Sequence, residues 1–283
     1  MTARKGHLTE FDGFDLELFF ATEILKLKSL HYGYWDELPL LEELSLENVR
    51  QAQARFTKRL LSFIPEGVQT ILDVGAGIGD NARSLAARGY KVTAVSPDKN
   101  HANYYGPPGE GNITFHNQTF EAFDSKQTFD LIFISEALDY FDRRVGLRQC
   151  QRYLKPGGHL LIAAMFRFGD AREFGDDYQL SELPYVKLAV EHGFSLVRAA
   201  DITKNTLPTM MLTHHALQEY LHPTLEMMRL YLSSSAPWKF WLLKRLFGKQ
   251  LREVSKILAY YEQRTNPEYF SKSVRYTTLL FSR

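Results

Sequence analysis

The chain has 283 residues, 45% of them hydrophobic and 24% charged, with a formal net charge of +1. It is long enough to bury a sizeable core in one elaborated domain or two, and too nearly neutral for a global field to argue for nucleic acid. No run approaches the ~20 continuous apolar residues of a membrane span, and MTARKGHLTEFDGF lacks the apolar region of a secretory signal, so a cytoplasmic location is expected.

The residues before Glu10 are polar and read as loosely ordered. Phe14, Leu18, Ala21, Ile24 and Leu25 fall near helical spacing and predict an amphipathic helix over 14–30. It runs into His31-Tyr32-Gly33-Tyr34-Trp35-Asp36, where three aromatics surround a glycine. That is not turn chemistry; the rings either pack a helix-to-loop junction or cover something flat or apolar. Val49, Ala52, Phe56, Leu60 and Leu61 predict a second helix over 41–64, stopped by Pro65-Glu66-Gly67.

Thr70–Val74 is a short apolar run suited to a buried strand. Gly75, Gly77 and Gly79 follow at alternating positions, allowing a tight turn and a close backbone approach to a ligand. Asp80 or Asn81 can cap a helix from Ala82 to Arg88 that ends at Gly89, and Lys91–Val95 alternates as a second strand. A dinucleotide fold wants G-x-G-x-x-G, with the pyrophosphate on the helix N-terminus. Here the spacing is G-x-G-x-G, and Asp73 would repel a pyrophosphate but suits a cationic amino group. Ser96-Pro97-Asp98 reads as a turn with a helix cap at Asp98, and Tyr105–Gly111 as a loop. Further strands are expected at Ile113–His116, Phe129–Ile134, Leu160–Met165, Phe194–Ala200 and Tyr269–Phe281, with helices at Val145–Leu154 and Tyr185–Glu191. The one cysteine, Cys150, excludes an intramolecular disulfide and a cysteine zinc site and reads as a buried structural thiol; no metal is expected. Residues 207–266 are too long for an ordinary connection and read as a helical insertion. It holds His214-His215, four methionines, and the basic aromatic run of residues 237–252.

The pattern D-V-G-A-G-I-G resembles the first motif of the class I methyltransferases that use S-adenosylmethionine. The resemblance continues in order through the strand Phe129–Ile134, the segment Ser135-Glu136-Ala137-Leu138-Asp139-Tyr140, and the turn Leu154-Lys155-Pro156-Gly157-Gly158-His159-Leu160. H-x-G-Y-W upstream is similar to the tocopherol, sterol and cyclopropane fatty acid groups of small-molecule and lipid methyltransferases. The resemblance implies a Rossmann-like α/β fold: a seven-stranded sheet with helices on both faces, N-terminal helices, and a helical lid between strands 6 and 7. It divides the chain into an N-terminal cap (1–66), a cofactor-binding core (67–206), a lid (207–266) and a final strand (267–283).

By the same resemblance, Asp73 and the backbone of Gly75, Ala76, Gly77 and Gly79 hold the cofactor, while Tyr32 and Tyr34 close over its methionine end. The usual ribose-binding acid is replaced by Ser96, with Pro97 and Asp98 following, so Asp98 reaches back or Ser96 bonds the ribose more weakly. Gln118 and Thr119 occupy the adenine position, where Phe120 can stack, and Ser135 lies at the crevice. Glu136 either faces the acceptor as a base or caps a short helix; His31 and His214 are the other candidate bases. No counterpart of the cyclopropane enzymes' site cysteine stands here, and no N/D-P-P-Y motif supports nucleic-acid methylation.

The reading is methyl transfer to a small, largely apolar acceptor, with specificity in the insertion. The alternative is a non-catalytic cofactor-binding or interaction protein that kept the fold. The run 237–252 reads either as a lid helix with a solvated basic edge or as an interfacial helix in peripheral contact with a membrane. Nothing in the sequence fixes an oligomeric state.

Overall fold

A computed structural model describes residues 10–11, 14–39, 45–107, 111–168 and 181–283. The polar segment before Glu10, the first residues of the helix expected from Leu41, and the middle of the Tyr105–Gly111 loop lie outside them.

Seven strands form one sheet: β1 Thr70–Val74, β2 Lys91–Val95, β3 Ile113–His116, β4 Phe129–Ser135, β5 Leu154–Arg167, β6 Ser195–Asp201 and β7 Val274–Ser282. They lie in the order β3-β2-β1-β4-β5-β7-β6. The first five are parallel, and β7 runs antiparallel between β5 and β6. The helices are α1 Leu46–Leu61, α2 Asp80–Ala86, α3 Arg143–Tyr153, α4 Glu182–Glu191, α5 Thr203–Ala216, α6 His222–Ser235, α7 Pro237–Thr265 and α8 Pro267–Ser273.

The central strands are apolar on both faces because both faces are covered, whereas β3 is only half-buried and β6 is mostly exposed. Leu72, Val74, Ile132, Ile134, Leu160 and Ile162 pack with α3 and α4 in one core. Ile71, Leu131, Phe133, Leu161 and Ala163 alternate with them and pack with α1 and α2 in the other. Truncating any of these leucines or isoleucines, or Phe133, to alanine costs about 2–5 kcal/mol. Ser45 caps α1 by accepting the Asn48 amide hydrogen, and Asp142 caps α3 through Val145. Cys150 is buried in α3, and burial pushes its thiol up, away from reactivity.

Three expected elements differ. In place of a helix over 14–30, Glu10–Phe11 pairs with Phe14–Asp15, and helical turns cover only Leu16–Ile24. Lys26 takes a φ of 51°, and the carbonyls of Leu25 and Lys26 accept hydrogen bonds from Arg50, so α1 uses the groups that a longer helix would need. Tyr269–Ser273 is helical, because Asn266 caps Tyr269 and Pro267 opens α8; β7 begins only at Val274. The insertion is entered early, since α5 starts at Thr203 and carries Pro208 inside it. Beyond it, no residue of α6 is buried and only Thr265 of α7 is. No described helix is long and apolar enough to cross a membrane.

Candidate active site

Strand order reverses between β1 and β4, and open α/β sheets bind ligands beyond the carboxyl ends of the strands at such a point. β1 delivers Asp73 there, and the chain turns through Gly75, Gly77 and Gly79, with φ of 72°, 53° and 83°. A Cβ at Gly75 would stand 2.2 Å from that of Ala137, so no side chain fits. At Gly77 nothing lies within 4 Å of that position, which leaves the backbone open to a ligand. The amides of Gly75 and Ala76 both donate to Val95, tying the loop to the end of β2.

Asp73 is 1% exposed, and its Oδ2 has no hydrogen-bond partner among the described residues. Burial, and secondarily Asp80, push its carboxyl up to about 7. Buried Asn81 Oδ1 and Ser135 Oγ also have no hydrogen-bond partner among the described residues. Buried polar atoms left in this way are costly unless a ligand completes them. Gly79, in the left-handed conformation, occupies the N-cap of α2, so neither Asp80 nor Asn81 caps it. Asp80 turns instead to Ser29 Oγ at 2.5 Å and His31 Nε2 at 3.3 Å. Burial pulls its pKa up, but the bonds from His31 and Ser29 outweigh it and hold the carboxyl low.

The segment 31–35 is a clamp built from both sides. His31 Nε2 also lies 3.0 Å from Thr57 Oγ1, and Nδ1 lies 2.8 Å from the Tyr32 carbonyl oxygen. Burial opposes its charge, yet Asp80 and the field of Glu136 outweigh that and raise its pKa. With both ring nitrogens committed to protein partners, His31 is a positioning residue and not a free base. Gly33 is required by close approach, since a Cβ there would stand 2.5 Å from that of Ala52. Thr209 Oγ1 accepts from the Gly33 amide and from Trp35 Nε1, at 3.1 and 3.0 Å. The two tyrosines part company: Tyr34 lies under the Arg59 guanidinium at 4.7 Å, while Tyr32 stands edge-on to Tyr276 at 6.0 Å.

Glu136 is the focus of that second contact. It follows β4 directly with a φ of 56°, an uncommon conformation for a residue with a side chain. Its Oε1 accepts from the Tyr32 amide at 3.2 Å and from the Tyr276 hydroxyl. Burial raises its pKa, against the opposing pull of His31, Tyr276, Tyr32 and Arg264 of α7. The helix-cap alternative for Glu136 fails, because the next helix starts at Arg143 under its own cap, Asp142. Asp139 is paired with Arg143.

A family model described as a methyltransferase domain matches residues 45–204, more than half of the chain. The chain belongs to this family. An O-methyltransferase from Pyrenophora dematioidea is 26% identical over 198 residues, covering 63% of this chain and 73% of that protein. A ubiquinone biosynthesis O-methyltransferase from Bradyrhizobium sp. (strain ORS 278) is 26% identical over 156 residues, covering 51% and 62%. A mycolic acid cyclopropane synthase solved with SAH and CTAB superposes with a TM-score of 0.66 over 99% of each chain, at 16% identity. The protein is therefore a class I methyltransferase, and its cofactor is S-adenosylmethionine.

The residues present fit that cofactor. The orphaned Asp73 carboxyl suits its amino group, and the bare backbone at Gly77 leaves room beside it. β2 carries no acid at its end; beyond it Ser96 Oγ lies 2.8 Å from His101 Nδ1, and His101 Nε2 lies 3.6 Å from Asp98. Asp98 does not reach back alone, since its Oδ1 caps the turn Lys99–Tyr104 through Asn100. Pro97 stands between the two as the turn begins. Gln118 and Thr119 lie just beyond β3, where Thr119 Oγ1 accepts the Ala122 amide hydrogen. Phe120 is 4% exposed and packs edge-on to Phe141 in the core, so its ring is not a free stacking face. His214 faces α7, its Nδ1 3.4 Å from Thr265 Oγ1.

Four residues of this site escaped the sequence reading. Tyr276 reads only as one position of an alternating strand, and Asp80 only as a cap. His101 lies in an unremarkable turn. Tyr105, whose hydroxyl donates to the carbonyls of Ala76 and Gly77 across the glycine loop, reads as loop. Only Asp80 carried a signal, an acid at a helix start behind the glycine loop.

Proposed function

We propose that the methyltransferase methylates the hydroxyl of a small, largely apolar acceptor, with Glu136 taking the hydroxyl proton. The cofactor supplies an activated methyl group on sulfur, so the chain's share of the work is positioning, exclusion of water and removal of that proton. Asp73 and the loop from Gly75 to Gly79, with Ala76, hold the methionine end. Ser96 and His101 serve the ribose, Gln118 and Thr119 the adenine, and Ser135 the crevice floor. Tyr32 shields the methyl group. On this reading residues 1–66 are a cap, 67–206 the core, 207–266 a lid and 267–283 the last strand. The names of the two sequence relatives support oxygen as the acceptor atom. The methionines and aromatic residues of the lid support an apolar acceptor that comes from, or lies against, a membrane.

The observation that carries the base is Glu136 itself. It is buried, held in a left-handed conformation, and oriented by Tyr276 and Tyr32 at the carboxyl end of β4. Only the carboxylate can accept a proton, and its pKa is raised, so the rate should climb with pH through a limb above the ordinary carboxylate range. Glu136→Gln should lower kcat by roughly 10²–10⁴-fold and abolish that limb, with S-adenosylhomocysteine affinity within about twofold of wild type. Tyr276→Phe should shift the limb rather than remove it. Full turnover by Glu136→Gln on a hydroxyl acceptor would end the base assignment.

A further inference from the structure

We infer that the hairpin of α6 and α7 is a docking surface for an anionic lipid bilayer. The two helices pack against each other, yet none of α6 is buried and α7 buries only Thr265. Helices in a globular protein usually bury one apolar stripe; these expose theirs. Trp238, Trp241 and Leu246 are 66%, 60% and 61% exposed.

Charge identifies the partner. The whole chain is nearly balanced, with 34 lysines and arginines against 33 acids. Residues 237–252 nevertheless hold Lys239, Lys244, Arg245, Lys249 and Arg252 and no acid. Lys239 Nζ lies 5.5 Å from the Trp238 ring centre, Lys244 Nζ 4.4 Å from that of Phe240, and the Arg245 guanidinium 5.4 Å from that of Trp241. Cations folded back over rings place positive charge and apolar surface at one level, as the boundary between lipid headgroups and acyl chains requires. Non-helical backbone at Phe247 (φ −117°, ψ 17°) separates Pro237–Leu246 from the rest of α7, so the tryptophan-bearing part takes its own angle. That part is about 15 Å long, enough to lie in an interface and too short to span one. A second copy of this face would bring five cations against five, which disfavours self-association through it.

At the other end of α7, Arg264 lies close enough to Glu136 to lower its pKa. α7, bent at Phe247, therefore runs from the docking surface to the site, and an acceptor dispersed in the bilayer reaches Glu136 along it. That last step rests on the acceptor reading above; the docking itself does not.

The test is partition of the full-length protein into vesicles of phosphatidylcholine with and without phosphatidylglycerol, followed by sedimentation and tryptophan emission. The chain has three tryptophans, and Trp35 is already buried, so a blue shift reports Trp238 and Trp241. Partition into the anionic vesicles with a blue shift is expected. Lys244→Ala with Arg245→Ala should weaken it roughly 30-fold, and Trp238→Ala with Trp241→Ala by at least roughly tenfold. Unchanged S-adenosylhomocysteine affinity would show that these variants are folded. No partition, partition without a blue shift, equal partition into neutral vesicles, or indifference to both double variants would overturn the inference. So would a dimer that shields Trp238 and Trp241 before lipid is added. Vesicle binding with no methylation of any hydroxyl acceptor would leave the docking surface standing and sink only the acceptor reading.

Discussion

The Asp73 carboxyl, pushed up to about 7 by burial and Asp80, is partly protonated near neutral pH while the cofactor is absent. A cationic amino group binds only to the ionised form. The dissociation constant of S-adenosylhomocysteine should therefore rise roughly tenfold between pH 8 and pH 6, read by calorimetric titration. Asp73→Asn should weaken binding by roughly 100-fold and flatten that dependence. A second residue-scale expectation concerns the ribose. Where the family resemblance implies an acid, this chain sets Ser96 against His101, and His101 against Asp98. His101→Ala should raise the cofactor KM roughly tenfold and leave kcat at saturation unchanged. An equal fall in kcat would mean that His101 acts beyond binding.

At the scale of elements, the segment from His31 to Trp35 locks α1, α5 and the ends of β4 and β7 to one another. Its hydrogen bonds reach Thr57, Asp80, Glu136, Asn205 and Thr209, far apart in sequence. The tightest fit in it is Gly33 against Ala52. Gly33→Ala should cost about 1–3 kcal/mol by overpacking, measured from the urea midpoint at constant slope. It should also loosen Glu136, whose Oε1 accepts the adjacent Tyr32 amide hydrogen. A stability unchanged within about 0.5 kcal/mol would show that α1 can give way there.

At the scale of the whole molecule, the site works against the fold until it is filled. The folded pKa of Asp73 is raised, so its stabilising contribution is complete below pH of about 4 and is lost as pH rises through 7. On the site assignment proposed above, the cofactor's amino group supplies the missing partner. The rise in Tm at saturating S-adenosylhomocysteine should accordingly be larger at pH 8 than at pH 6, by differential scanning fluorimetry at fixed ligand concentration. An equal rise at both would mean that Asp73 is not the cofactor's partner.

What the sequence determined by itself is local or patterned at short range. Apolar runs marked the central strands, since a strand buried on both faces declares itself in five or six residues, while the exposed β6 was marked by its place in the motif order. The glycines at 75, 77 and 79 and Asp73 marked the loop, because positive φ and an acid at a strand end are written in single residue types. Asn266 and Pro267 open a helix in the structure, where the alternating residues beyond them argue for strand. Only the tertiary structure decided the contacts around Glu136. Its partners Tyr32 and Tyr276 are 104 and 140 residues away, and no spacing rule reaches so far. It also separated Tyr32 from Tyr34, tied up His31 with Asp80 and Thr57, and buried Phe120, because each outcome depends on which helix packs over which strand.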